Sequence, residues 1–265
     1  MASGVTRTQR LVLATVCAVA VSTIYAIQPV LALAGADLGL SPQSSGLLVA
    51  AGQIGYFAGL ILLVPLGDAV NRHRLIGVLL TLTAVWAAIT AAAPNGVLAV
   101  AGLAIAGLFA VVVQVTVAYV AAVSAPGERG RNIGAVTSGV VIGILGARIV
   151  AGVLGDTLGW RSVYVLLTVL CVTLALVTRG GLDPDVRTSG RRYTQILRSM
   201  GHLVATDRLF LSRGLITFFL FASLRHPLEW PGAPARRRTL VFRHHRDRVV
   251  RVGGTRGSSR RGTSR

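Results

Sequence analysis

The sequence predicts an all-α membrane protein: six transmembrane helices, a truncated seventh and a disordered tail. Three observations lead there. The 265 residues are 53% hydrophobic and only 14% charged, with a mean hydropathy of +0.68, whereas a soluble domain carries about a quarter charged residues. Six apolar runs come close to the ~20 residues that cross ~30 Å of hydrocarbon as helix. Basic residues, finally, are segregated to alternate connections between those runs. Transmembrane strands would be shorter and alternate in polarity, so a barrel is not expected.

The runs lie at 11–33, 46–66, 75–93, 97–123, 133–154 and 162–178, giving a six-helix domain over 1–178. The connections read as inside hold Arg7, Arg10, Arg72, Arg74, Arg129 and Arg131, with seven more arginines from Arg179 to Arg213; the outside ones hold only Arg161. That bias places the N-terminus in the cytoplasm of a multi-pass protein of the cell membrane. The outside connections are 34–45, the turn "APNG" at Ala93 and "GDTLGWR" at Gly155.

Residues 179–213 read as a basic cytoplasmic loop. Within it, "YTQILRSMGHLV" from Tyr193 has amphipathic helical spacing, which suits a helix lying on the membrane surface and a solvated linker helix alike. A seventh apolar run over 214–224 is half a span, and 225–265 is an Arg-rich tail without periodicity. Twelve of the 27 arginines lie after Leu224, and there is no lysine. An apolar run that turns into such a tail is expected where a reading frame shifts in GC-rich coding.

The island "PLGDAVNRHRLIG" (65–77) packs Asp68, Arg72, His73 and Arg74 between the second and third runs. Positive charge there serves orientation, but orientation has no use for Asp68. That carboxylate can pair with an arginine or favour a helix N-terminus. Inside the apolar runs, polar groups are few. Gln28 precedes Pro29, which breaks a helix and frees a carbonyl; Gln28 faces a solute path or bonds a neighbouring helix. Gln53 and Gln114 sit in similar surroundings, and Tyr25 and Tyr119 fit packing or ligand contact equally. Arg148 lies deep in the fifth run, where a charge costs about 2.5–3.5 kcal/mol. Such a residue faces a cavity or a partner, or snorkels to an interface. Gly139, Gly143, Gly146 and Gly152 recur mostly at three- and four-residue steps in the same run, a stripe for close helix packing. Gly155 continues it.

Cys17 and Cys171 sit in apolar runs without metal or disulfide spacing, and the histidines lack ligand partners at metal spacing. No P-loop is present, so no enzyme, cofactor or metal is expected. The tail has no aromatic array, so no nucleic-acid partner is expected either.

The island resembles the loop between helices two and three of major facilitator superfamily transporters, G-x-x-x-D-[RK]-x-G-[RK]-[RK]. Asp68 stands at the Asp and Arg72 at the first closing base, with Arg74 one position late. Val64, Ala69 and Asn71 depart from the pattern. The segment 25–68 is similar to the first helical hairpin of bacterial efflux members, with "QP" breaking helix one and "SPQSSG" opening helix two. The fifth run is similar to the glycine-rich helix of family exporters, although Gly146 and Ala147 stand where Gly-Pro is usual. The resemblance implies the N-terminal six-helix half of a secondary transporter, with small-molecule substrates and a lipid-bilayer setting. Efflux of drug- or sugar-like compounds by alternating access is then expected. Gln28, Gln53, Gln114 and Arg148 would line the path; Asp68, Arg72 and Arg74 would form a cytoplasmic gate. No Asp or Glu lies inside the six runs, so proton coupling would need a carboxylate in the other half. On this expectation the chain is a fragment that inserts but does not transport alone. The alternative is a self-contained six-helix channel or a half-carrier that dimerises.

Overall fold

The computed structural model of the chain describes residues 5–182 and 193–225, and among them all regular structure is helical. The first span is α1 (Arg7–Tyr25) followed, after a break at 26–30, by α2 (Leu31–Asp37). The second is α3 (Pro42–Leu62) with a short α4 (Leu66–Ala69), and the third is α5 (Arg72–Ala91). The fourth divides into α6 (Gly96–Phe109) and α7 (Val112–Val123). The fifth and sixth are α8 (Arg129–Leu158) and α9 (Trp160–Gly181). Six of these segments are long and apolar enough to cross a membrane. Two further helices follow, α10 (Tyr193–Thr206) and α11 (Arg208–Arg225).

Local chemistry starts the helices. Thr6 and Gln9 form a capping box at α1, the Thr6 hydroxyl accepting from the Gln9 amide while the Gln9 side chain accepts from Thr6 N–H at 3.0 Å. Ser41 caps α3 with Pro42 in its first turn, and Asn71 and Asn95 cap α5 and α6. The expected outside loop at Gly155 is corrected here. Helix α8 runs on through Asp156 to Leu158, and Gly159 alone, at φ +82°, turns the chain into α9.

The spans pair in an orderly way: α1 packs on α8, α3 on α6, and α5 on α9. Exchanging spans one, two and three with four, five and six maps this pairing onto itself. Spans one and four, which the exchange relates, are both interrupted; span two also breaks before α4, whereas span five is continuous. The closest backbone approaches obey the same exchange. A Cβ added to Gly55 or Gly59 of α3 would strike the carbonyl oxygens of Ala104 (at 1.8 Å) and Leu108 (at 2.2 Å), both on α6 in the fourth span. A Cβ at Gly139 or Gly143 of α8 would meet Ala14 O at 2.1 Å and Ala18 O at 2.3 Å on α1. Glycine lets the backbones touch where any side chain would hold them apart.

The core includes Leu13, Ile76, Leu80, Leu103 and Tyr164. Helices α3 and α8 are the least buried of the spans. They expose Ile54, Phe57, Ile142, Leu145 and Ile149. The described residues divide after Phe210 into two units. The second, from Leu211, is helical through Arg225. Helix α11 thus begins before the expected half-span at 214–224, because Arg208 and Arg213 are taken into the helix. Of the expected disordered tail at 225–265, Arg225 closes α11 and the remainder lies outside the described residues.

Candidate functional site

The break at 26–30 is where the site begins. Pro29 has no N–H to give a helix, and the chain there makes a turn bond from Gln28 N–H to Tyr25 O at 3.2 Å. Gln28 is left half-buried at this break within the span. Arg148, exposed on α8, reaches it: Arg148 Nη2 donates to Gln28 Oε1 at 3.3 Å. Two polar residues 120 positions apart in sequence are thus joined. A second pair lies across α7 and α3, where Gln114 Nε2 donates to the Tyr56 hydroxyl at 3.2 Å. The result is a polar belt of two bonded pairs, Arg148 with Gln28 and Gln114 with Tyr56, drawn from four spans. Gln53 is half-buried on α3, one turn before Tyr56, and stands outside both bonded pairs.

At the end of the bundle that carries the N-terminus, Asp68 and Arg72 form an ion pair at 2.7 Å that bridges α4 and α5. Arg72 is 15% exposed and Asp68 59%, so the pair is half in water and its worth as an isolated contact is small. Arg74 is exposed and lies outside this pair. Next to it a cavity of about 910 Å³ is lined by Leu60, Val64, Asp68, Arg72, Arg129 and Ile196. Helix α10 forms one of its walls: Ile196 is buried and the Tyr193 hydroxyl donates to Leu62 O at 2.5 Å, a carbonyl at the end of α3. The amphipathic segment therefore packs on the bundle beside Asp68.

Several groups that hold this end together escape a reading of the sequence. Asn132 is fully buried, donating to the Ser124 hydroxyl at 3.0 Å and accepting from Arg10 Nη1 at 3.2 Å. His73 Nε2 lies 2.9 Å from Thr178 O, tying α5 to α9. Asn132 sits in "GERGRNIG", among charges that mark a loop, so only its place at the foot of the fifth run hinted at burial. Tyr56 had a clearer signal, one turn after Gln53.

The opposite end has its own fastening. Asp37, closing α2, accepts from Trp160 Nε1 at 3.0 Å and from Arg161, whose other arm donates to Ala93 O at 2.8 Å. The Arg161 guanidinium also lies 4.7 Å from the Trp160 ring centroid. These bonds from Trp160 and Arg161 hold the Asp37 carboxyl below its ordinary value. A depressed carboxylate pKa adds stability that is complete above the unfolded value of about 3.9 and is lost as pH falls through the folded value. The melting temperature of the purified protein is expected to drop on acidification below about pH 4, and Asp37→Asn is expected to flatten that part of the curve. Identical acid profiles for the two proteins would contradict the assignment.

The glycine stripe on α8 divides. Gly139 and Gly143 meet the α1 backbone, and Gly155 meets Val30; a Cβ at Gly146 or Gly152 meets nothing within 4 Å. Pro29 is exposed.

Comparison with known proteins matches this architecture. The Major Facilitator Superfamily model covers residues 11–225. The Escherichia coli O157:H7 protein named uncharacterized transporter YgaY is 37% identical over 204 residues, 77% of this chain and 52% of that protein. The putative uncharacterized transporter YgaY of Escherichia coli K12 is 38% identical over the same shares. Probable transporter SCO4007 of Streptomyces coelicolor is 39% identical over 161 residues, 61% of this chain and 37% of that protein. The chain spans about half the length of the YgaY relatives it matches. With six apolar spans and a family match over most of its length, the chain is a multi-span membrane protein and belongs to the Major Facilitator Superfamily.

Proposed function

We propose that the six spans form one wall of a secondary transporter that exports small drug- or sugar-like organic solutes across the cell membrane by alternating access. The observation that carries this is the polar belt from Arg148 to Gln114. Polar side chains at the middle of spans are costly in lipid and are kept where they face a water-filled path. The least buried helices, α3 and α8, offer apolar faces to a second six-helix unit, so the belt lies between two halves that rock about it. A second copy of the chain in that place is the alternative. The arginine bias sets the N-terminus in the cytoplasm, which makes the Asp68–Arg72 pair and the cavity beside it the inner mouth. There the pair latches the path shut. Any coupling carboxylate belongs to the facing unit.

The test is export. The chain is joined to a second six-span half and expressed in a host stripped of its own efflux systems. Sensitivity to one or more compounds of a drug and sugar-analogue panel is expected to fall. Unchanged sensitivity to every compound, with the protein present in the membrane, refutes the reading. Expressing the chain alone separates the alternative: a dimer with export favours the half-carrier. Asp68→Asn is expected to lower export by up to about fivefold, the equivalent of the roughly 1 kcal/mol that a half-exposed ion pair can contribute, while the amount of inserted protein stays unchanged.

A further inference from the structure

We propose that the exported solute is an organic anion, and that Arg148 together with Gln28 holds its carboxylate. The inference rests on the path reading above and narrows it to a substrate class.

Arg148 stands ten residues before the end of α8, about 15 Å of helix rise. An arginine side chain is too short to bring its charge out to the end of the helix. The ion pairs among the described residues join Asp68 to Arg72, Glu128 to Arg131 and Asp37 to Arg161. None involves Arg148, and no described carboxylate offsets its charge. Its one hydrogen bond goes to a neutral amide oxygen. That bond occupies one arm of the guanidinium and leaves further N–H donors in the fork that matches a carboxylate. Gln28 accepts through Oε1, so its NH₂ group is the next donor beside the fork. The belt here is therefore rich in donors and carries a net positive charge. A cation would be repelled, and a neutral solute would leave the charge without an opposite in a region of low dielectric. A carboxylate supplies both the charge and the acceptors.

The test needs no knowledge of the natural solute. Gly152 lies one turn beyond Arg148, and a Cβ there meets open space. Cys17 and Cys171 are buried and stay silent to a water-soluble maleimide. In the Gly152→Cys protein, reconstituted in lipid nanodiscs, the labelling rate reports access to the belt. Glucuronate and benzoate are expected to slow labelling by about tenfold, while glucose and benzamide, their uncharged counterparts, leave it unchanged. Adding Arg148→Gln is expected to abolish the protection, and Arg148→Lys to retain part of it. Equal protection by charged and neutral probes, or by none, with the introduced thiol still labelled, overturns the anion assignment and leaves the path standing. An introduced thiol closed to the reagent, both in Gly152→Cys and in Leu145→Cys, an exposed position one turn before Arg148 on the same face, overturns the path reading and the anion with it.

Discussion

Gly139→Val is expected to destabilise the protein by about 3 kcal/mol, the upper part of the range for overpacking, and to be among the most damaging single changes in the bundle. The Cβ alone would sit 2.1 Å from Ala14 O and 2.8 Å from its carbonyl carbon. Both atoms are backbone, so no rotamer change relieves the contact; α8 must move off α1. That movement would open the seam that also brings Gly143 onto Ala18 and lets Ser22 donate to Gly143 O at 3.1 Å. Thermal unfolding in detergent reads the loss. Gly146→Ala and Gly152→Ala are the matched controls on the same helix. Their added methyl groups meet open space, so both are expected to melt at or above the parent temperature, alanine being the better helix former by up to about 1 kcal/mol. If Gly139→Val melts with its controls, the helices are not in backbone contact there.

Arg148→Leu is expected to do the opposite: leave the fold intact and silence transport. The substitution removes a charge from the depth of the span, so insertion improves by up to about 3 kcal/mol on insertion scales. Gln28 loses one hydrogen bond of a kind worth about 0.6 kcal/mol on average in membrane proteins. Melting temperature should therefore hold or rise while export by the joined two-half protein falls to background. A snorkelling arginine predicts a different pattern, with export kept. Export at parent level in Arg148→Leu would remove the residue from the path.

The two predictions draw on features of unequal visibility. Spans were legible because hydropathy integrates over ~20 residues; each observed span lies within a few residues of its apolar run. The break in span one announced itself through Pro29. Its counterpart between Phe109 and Val112 has no proline and no glycine at the joint, so nothing local marked it. The stripe from Gly139 to Gly152 was visible as spacing, but spacing does not say which helix lies opposite, and only the pairing with α1 separates Gly139 and Gly143 from Gly146 and Gly152. The stripe on α3, at Gly55 and Gly59, has the same four-residue spacing and likewise names no partner helix. Gln28 and Arg148 were each conspicuous as polar groups in apolar runs. Their bond was not, because it joins positions 120 apart. Asn132 was hidden by its charged neighbours.

The fastening of Asp37 with Trp160, Arg161 and Ala93 bears on how the chain assembles. Its parts follow span one, follow span three and open span six, with 124 residues between Asp37 and Arg161. It cannot close until the fifth span has crossed and delivered Trp160 and Arg161, when Asp37 and Ala93 have long been waiting on that side. Contacts of such long sequence separation form late. Interactions absent from the rate-limiting barrier slow unfolding without speeding folding. The clasp thus acts as a completion seal: an arriving sixth helix locks the first and third, and a chain interrupted before Trp160 leaves these ends untied.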